Sequence, residues 1–303
     1  MIIWRTEPLC YKEVFENIVD AVSNYITGCG IKAMVLGLSG GLDSTVCAAI
    51  CSKAAEKTGA SLYGISLPCS TNKDDEKSSA NLAGKEFCNV FIENNIQDVF
   101  TVIERACDGI SILPSTPISQ GNIKARLRMI ALYDVASKMK GIVIDTDNLT
   151  EHFLGFFTVN GDVADLNPIG NLWKTEVYAL AKYMYENVFK GSEALKAAIE
   201  ITPTDGNGVS GSDLDQIMPG YTYTDVDKIL MAWVPLNERI KEFYLAQGFN
   251  QKGTFFAKLV EEYGEENVRR VVMRSVYSEF KRYPHPIPVD IFRKEIVKHL
   301  TFE

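Results

Sequence analysis

The chain predicts an α/β fold: a doubly wound parallel sheet flanked by helices, with a helical C-terminal extension. Three patterns carry this. In the first half, short apolar runs alternate with stretches of helical periodicity, the order of repeated βα units. A glycine pair, Gly40-Gly41, joins the first apolar run to the next helical stretch. From Thr224 onward the apolar residues recur mostly at helical spacing, as in Ile229-Leu230 and Val268 to Val272.

The elements follow in order. Val14, Phe15, Ile18, Val19, Val22 and Tyr25 give a helix over 11–25, closed by Gly28 and Gly30. Residues 33–38 form the first strand and 45–57 a helix ended by Gly59. Strand 62–67 leads into Pro68-Cys69-Ser70-Thr71-Asn72, a loop at the sheet edge where open α/β folds bind ligands. Helix 78–87, strand 89–92 and helix 96–107 come next. Residues 109–121 are rich in Ser and Pro and read as a connection before helix 122–139. Ile142-Val143-Ile144 mark a buried strand over 141–145. Residues 151–171 are loop-rich, and 172–185 is helical. The stretch 202–220 holds Gly206, Gly208, Gly211, Pro203 and Pro219, and is expected to be a mobile loop. Pro284, Pro286 and Pro288 end the helical stretch, with a last helix expected over 291–300. The expected organisation is one domain over 1–303: an α/β core over 1–190, the loop 202–220, and a helical part over 221–303.

Composition narrows the function. With 303 residues, 46% hydrophobic and 23% charged, the chain can bury a full core. A net charge of −8 disfavours nucleic acid or an anionic membrane as partner, since both require basic surface. Seven cysteines without a C-x-x-C pair read as small buried hydrophobes in a reducing compartment. Three histidines leave few zinc ligands. No signal-like or membrane-length apolar run occurs, so a cytoplasmic location is expected.

The chemistry starts at residues 37–44, Gly37-Leu38-Ser39-Gly40-Gly41-Leu42-Asp43-Ser44. A strand running through a tight turn into a helix presents unpaired N–H groups and the positive end of the helix dipole, which suits an anion. The glycines let the backbone approach it, and Ser39, Ser44 and Thr45 add hydroxyl groups. Asp43 would repel a bare phosphate but not one carrying Mg²⁺. The spelling is neither a Walker A loop nor G-x-G-x-x-G. SGG-x-DS resembles the pyrophosphate-binding loop of the N-type ATP pyrophosphatases, which cleave ATP between the α and β phosphates.

Three further segments share the sheet's carboxyl edge or follow it. They are GN-x-KAR-x-RM at 121–129, TDN-xx-E followed by GF-x-T and GD at 146–162, and the run from Asp165 to Val177. With the loop they resemble the NAD synthetase family, over about Tyr11 to Pro288. That resemblance implies an adenine-nucleotide α-hydrolase-like fold. It implies amidation of deamido-NAD by ammonia, with ATP as co-substrate, yielding NAD, AMP and pyrophosphate. The synthetase region begins almost at residue 1, which implies the ammonia-dependent form without an attached glutaminase. It also implies a homodimer, with the dinucleotide near the subunit interface.

The family's roles carry over by position. Residues 37–44 hold the ATP phosphates, and Thr146, Lys174 and Thr204 contact ATP. Asp43 and Glu151 bind Mg²⁺. Arg126, Asp165 and Lys281 contact deamido-NAD, beside Val159 and Phe280. Asp43, Lys174 and Asp165 form the catalytic group. Two positions depart from the pattern: Val159 replaces a common Lys, and Phe280 a common His. Both fall on the dinucleotide side.

Three rivals are weaker. A tRNA-modifying sulfur transferase requires basic surface and usually paired reactive cysteines. A GMP-synthetase-like amidase does not fit the KAR and GFFT segments. A silent nucleotide-binding module predicts damage to Ser39, Gly40, Gly41, Asp43, Ser44 or Glu151, all of which are present.

Overall fold

A computed structural model describes residues 9–201, 214 and 217–282. The segment expected to be a loop at 202–220 lies largely outside the described residues, as does the helix expected at 291–300.

Four parallel strands form the sheet: β1 Ala33–Gly37, β2 Ser61–Ser66, β3 Val90–Glu93 and β4 Gly141–Ile144. Their spatial order is β3-β2-β1-β4. In register, Val35 of β1 lies opposite Tyr63 of β2 on one side and Val143 of β4 on the other. The chain thus leaves β1 toward one edge and returns to its other flank. The crevice beyond the ends of β1 and β4 is the topological switch point where such sheets bind ligands.

Period-2 alternation sends β1 into two cores. Met34 and Leu36 face a layer built by α1 (Tyr11–Gly28), α2 (Leu42–Thr58) and α3 (Asp74–Phe87). Later helices of that layer are α7 (Lys174–Tyr183) and α8 (Glu193–Glu200). Val35 faces the opposite layer, where α4 (Gln97–Ile110) contributes Phe100 and α5 (Pro117–Met139) contributes Met129 and Leu132. Helices therefore cover both faces, as the alternating pattern predicts. Helix α2 is buried almost all round, and its Ala and Cys residues let neighbours pack closely. Cys47 and Cys51 are buried there, and burial pushes both thiols up, as suits small hydrophobes.

Several boundaries differ from expectation. Helix α5 begins at Pro117, inside the expected connection, because Thr116 caps it by accepting from the Ser119 amide and Pro117 pre-sets its first turn. Acids in the first turn of α3 extend it back to Asp74. A short helix, α6 (Leu149–Leu154), occupies the start of the loop-rich stretch. Helix α7 passes into a π-turn over Met184–Val188, and α8 was not foreseen.

The extension contains α9 (Tyr223–Trp233), α10 (Glu238–Gln247), α11 (Phe255–Tyr263) and α12 (Glu265–Tyr277). Their aromatic core, with Trp233, Phe249 and Phe256, also takes in Phe153 of α6 and Trp173 at the start of α7. That shared core anchors the helical part against the site. Among the described residues, no helix is long and apolar enough to cross a membrane.

Gly40 marks where the turn between β1 and α2 meets α3. Its φ is +84°, and a Cβ there would sit 2.0 Å from the Glu76 carbonyl oxygen. Gly40→Ala should therefore destabilise by more than the ~1–2 kcal/mol of a left-handed non-glycine residue, because α3 must also shift. Urea denaturation would check this, and a variant as stable as the parent would contradict the packing described.

Candidate active site

Local chemistry shapes the loop before any ligand is considered. The Gly41 amide donates to Ser39 Oγ at 3.2 Å, and Ser39 and Ser44 hydroxyl groups lie 3.1 Å apart. Ser44 and Thr45 hydroxyl groups both donate back to the Gly41 carbonyl, at 3.2 and 2.9 Å. The turn is thus held by its own hydroxyl groups, and the start of α2 faces the crevice. Asp43, in the first turn of α2, directs its carboxylate across to β4.

Asn148 organises the other side. It follows β4, is fully buried, and caps α6: its Oδ1 accepts from the Glu151 amide, while Glu151 Oε2 accepts from the Asn148 amide, both at 3.0 Å. That reciprocal box consumes one Glu151 oxygen and leaves Oε1 to point at Lys174 Nζ, 3.4 Å away. Asn148 Nδ2 also donates to Asp43 Oδ1 at 3.0 Å. One amide side chain therefore positions both acids.

Lys174, the first residue of α7, brings its ammonium between them, donating to Asp43 Oδ2 as well as to Glu151. Its side chain is 3% exposed, and each acid is 15% exposed. Burial works against the Lys174 ammonium, but Asp43, Glu151 and Tyr223 outweigh it and hold its pKa well above the ordinary lysine value. The ammonium also sits 5.4 Å from the Tyr223 ring centroid.

These groups line a cleft of about 440 Å³. Loop residues Gly37, Leu38, Ser39, Gly41, Leu42, Asp43 and Ser44 form one wall, and Thr146, Asp147, Glu151 and Lys174 another. Gly40 is the loop member outside the lining, since it packs on α3. Thr204 lies outside the described residues.

Asp147 and Asp162 line the same cleft. Burial pushes both carboxyls up, and Asp145, Glu151, Asp162 and Asp43 push Asp147 further. Asp145 is raised by burial too, against amide bonds from Asp147 and Ala164.

The expected substrate residues are not gathered in the cleft. Arg126, Val159, Asp165, Phe280 and Lys281 are absent from its lining. Arg126 donates to the Val159 carbonyl at 3.2 Å. Asp165 accepts from the Tyr133 hydroxyl and the Val143 amide, both at 2.9 Å. Lys281 Nζ donates to the Gly155 and Phe157 carbonyls at 2.7 and 2.5 Å. Phe280 is exposed.

Other residues stand in the cleft instead. Arg128, two positions after Arg126, is turned about 200° around α5 and points inward. It donates to the Leu67 carbonyl at 3.1 Å and to Asn72 Oδ1 at 3.3 Å. Arg274 of α12 lies 5.1 Å from the Phe156 ring centroid, and both line the cleft. The 3.6-residue period distinguishes Arg126 from Arg128, and N-x-x-E marks the Asn148 capping box. Nothing local in the sequence marks Arg274, which arrives from a distant helix.

The donor set suits Mg²⁺. Asp43 and Glu151 converge on the Lys174 ammonium at the border of the cleft, and Mg²⁺ is commonly held by one or two carboxylates plus phosphate oxygens and water. No group of three or more His, Cys, Asp or Glu able to hold a metal occurs among the described residues. Such an ion would therefore be shared with the nucleotide.

The NAD synthase family model matches residues 14–284. The chain belongs to that family. An NH(3)-dependent NAD(+) synthetase of Wolinella succinogenes is 32% identical over 272 residues, covering 89% of this chain and 93% of that protein. Among solved structures, the NMN synthetase of Francisella tularensis superposes with a TM-score of 0.71 at 26% identity, covering 93% of this chain and 99% of that one. The NH3-dependent NAD synthetase of Campylobacter jejuni, in complex with the nitrate ion, gives 0.58 at 25% identity, covering 86% and 96%. The adenine-nucleotide α-hydrolase-like fold is thereby established for this family member.

Lys174→Met would leave two carboxylates facing each other without a counter-charge. The expected cost is roughly 2–4 kcal/mol, below the fully buried extreme because the acids border an open cleft. Proton uptake relieves their repulsion, so the deficit should be larger at pH 8 than at pH 5. Denaturant titrations at both values test this; a deficit independent of pH would contradict the geometry.

Proposed function

We propose that this chain is an ammonia-dependent ligase that converts deamido-NAD to NAD, with ATP consumed to AMP and pyrophosphate. The convergence of Asp43, Glu151 and Lys174 at the N-terminus of α2 carries this reading. The matching relatives named NH(3)-dependent NAD(+) synthetase support it.

The chemistry follows from the carboxylate's poor electrophilicity. Its oxygen attacks the α-phosphorus of ATP, the α–β bridge breaks, and pyrophosphate leaves. Ammonia adds to the resulting acyl-adenylate carbonyl, AMP departs with the C–O bond's electrons, and a proton is released. The first step brings an anion to a polyanion, so charge compensation is the main requirement. Lys174 and the amides at the start of α2 supply fixed positive potential. Bound Mg²⁺, held by Asp43 and Glu151 with phosphate oxygens, would supply the rest. Thr146 borders the nucleotide, and Arg128 and Arg274 extend the basic lining toward the acyl side. No protein nucleophile is needed, and positioning does the remainder.

A second reading replaces the dinucleotide with nicotinate mononucleotide. Val159 and Phe280 stand where the family commonly has Lys and His, and Arg126 and Lys281 spend donors on main-chain carbonyls. A structural relative that covers nearly the whole chain is described as an NMN synthetase.

We further propose a homodimer through α4 and α5. Helix α4 buries only Phe100 and exposes Val99, Val102, Ile103 and Ile110. Arg126, Ile130 and Tyr133 share one stripe of α5, at helical spacing. A second copy on this face would cover the apolar residues and bring new groups to Arg126 and Asp165, which is where the dinucleotide would extend. A cytoplasmic location agrees with seven free cysteines.

Incubation with ATP, Mg²⁺, ammonium and each nicotinate substrate in turn should yield the amide, AMP and pyrophosphate. Release of ADP and phosphate would refute the proposed bond cleavage, and the larger kcat/KM of the pair identifies the substrate. Val102→Asp with Ile130→Asp should convert dimers to monomers in sedimentation velocity. A double variant that stays dimeric would place the interface elsewhere.

A further inference from the structure

Helix α7 starts after Trp173, whose amide donates to Glu176 Oε2 at 2.9 Å, a local cap one turn on. The next two amides find their acceptors on other elements. A carboxylate for one of them comes from Asp227 of α9, fifty-two residues after Thr175. Asp227 Oδ2 accepts from the Thr175 amide at 2.9 Å and from the Thr175 hydroxyl at 2.8 Å. Its Oδ1 accepts from the Thr150 hydroxyl of α6 at 2.6 Å. Thr150 Oγ1 in turn accepts from the Lys174 amide at 2.8 Å. Thr150 is fully buried and Asp227 is 1% exposed.

The placement is specific. Thr150 immediately precedes Glu151, and Thr175 immediately follows Lys174. One carboxylate therefore ties the backbone beside the metal acid to the backbone beside the ammonium. Tyr223, one turn earlier on the same face of α9, lies 5.4 Å from Lys174 Nζ at the other end of that side chain. Burial pushes the Asp227 carboxyl up to about 6, while bonds from Thr150 and Thr175 favour its ionised form. An apolar residue would avoid that cost but could not cap α7.

We propose that Asp227 is a positioning residue: from α9 it fixes the first turn of α7 against α6, and so sets where the Lys174 ammonium meets the Asp43 and Glu151 carboxylates. It does not line the cleft. The proposal rests on the function argued above only for its activity readout. Helix α9 belongs to the C-terminal extension, so the extension holds the site in register as well as covering it.

The test uses the full chain with Thr150→Val, Thr150→Ser and Asp227→Asn. Val conserves the volume of Thr and deletes the hydroxyl, whereas Ser restores it. Mg²⁺-dependent affinity for a non-hydrolysable ATP analogue is measured by calorimetry, alongside kcat, KM for the nicotinate substrate, and thermal melting. Thr150→Val and Asp227→Asn should lower kcat about tenfold or more with that KM nearly unchanged, since small misplacements of catalytic groups act on the transition state. Nucleotide affinity should fall about fivefold or more in both, because the site's charges shift together. Thr150→Ser should recover both quantities. If Asp227→Asn does not fold, Thr150→Val carries the comparison. Variants that melt earlier but keep parental kcat and nucleotide affinity would show that Asp227 only holds the fold. A Ser variant no better than Val would also overturn the proposal. Should the parent bind nucleotide yet form no amide, the function fails separately, and the affinity differences still decide the role of Asp227.

Discussion

One ammonium shared by two carboxylates, at the point where two parallel strands end, is the constraint on which the molecule's arrangement depends. Lys174 is almost completely buried, and a charge in that position is tolerable only if it is paired and hydrogen-bonded. The pairing imposes demands on every neighbouring element. Helix α2 must start where Asp43 can reach inward, α6 must hold Glu151 with Oε1 turned to Lys174, and α7 must begin with Lys174. Asn148, Thr150 and Asp227 meet those demands through short polar bonds to backbone and side chain. The same charges that hold the fold are those expected to face a triphosphate, so stability and chemistry draw on one set of groups.

The fold was largely legible in the sequence because its signals are local. Short apolar runs marked the strands, and each lies within two residues of its expected position. The strand-to-helix turn at 37–44 was legible because its glycines, hydroxyl groups and acid are consecutive in the chain. Boundaries were less readable where a cap or a proline at a helix start looked like a linker, as at Thr116-Pro117. Helix α8 leaves a weak trace in the sequence because it spans only eight residues.

The cleft was legible around Asp43, Glu151 and Lys174 and much less so around Arg128 and Arg274. Asp43, Glu151 and Lys174 meet as expected because each stands at an element's end on the sheet edge. Arg126 was favoured over Arg128 by motif, but helical geometry turns Arg128 inward. Arg274 and Asp227 come from the extension, where sequence distance hides spatial proximity. Asp165 and Lys281 sit in tidy internal hydrogen bonds, which no linear pattern could have forecast.

Strands β1 and β4 are direct neighbours, with Leu36 opposite Ile144, and the two acids follow their respective ends. Adjacent strands in any sheet lie about 4.8 Å apart, a spacing set by peptide hydrogen bonds and not by side chains. The mouth of the crevice between these two strands therefore inherits a gauge that side-chain substitutions leave in place. Farther from the strands, around Arg128 and Arg274, width is governed by loops and helices that no backbone ladder calibrates.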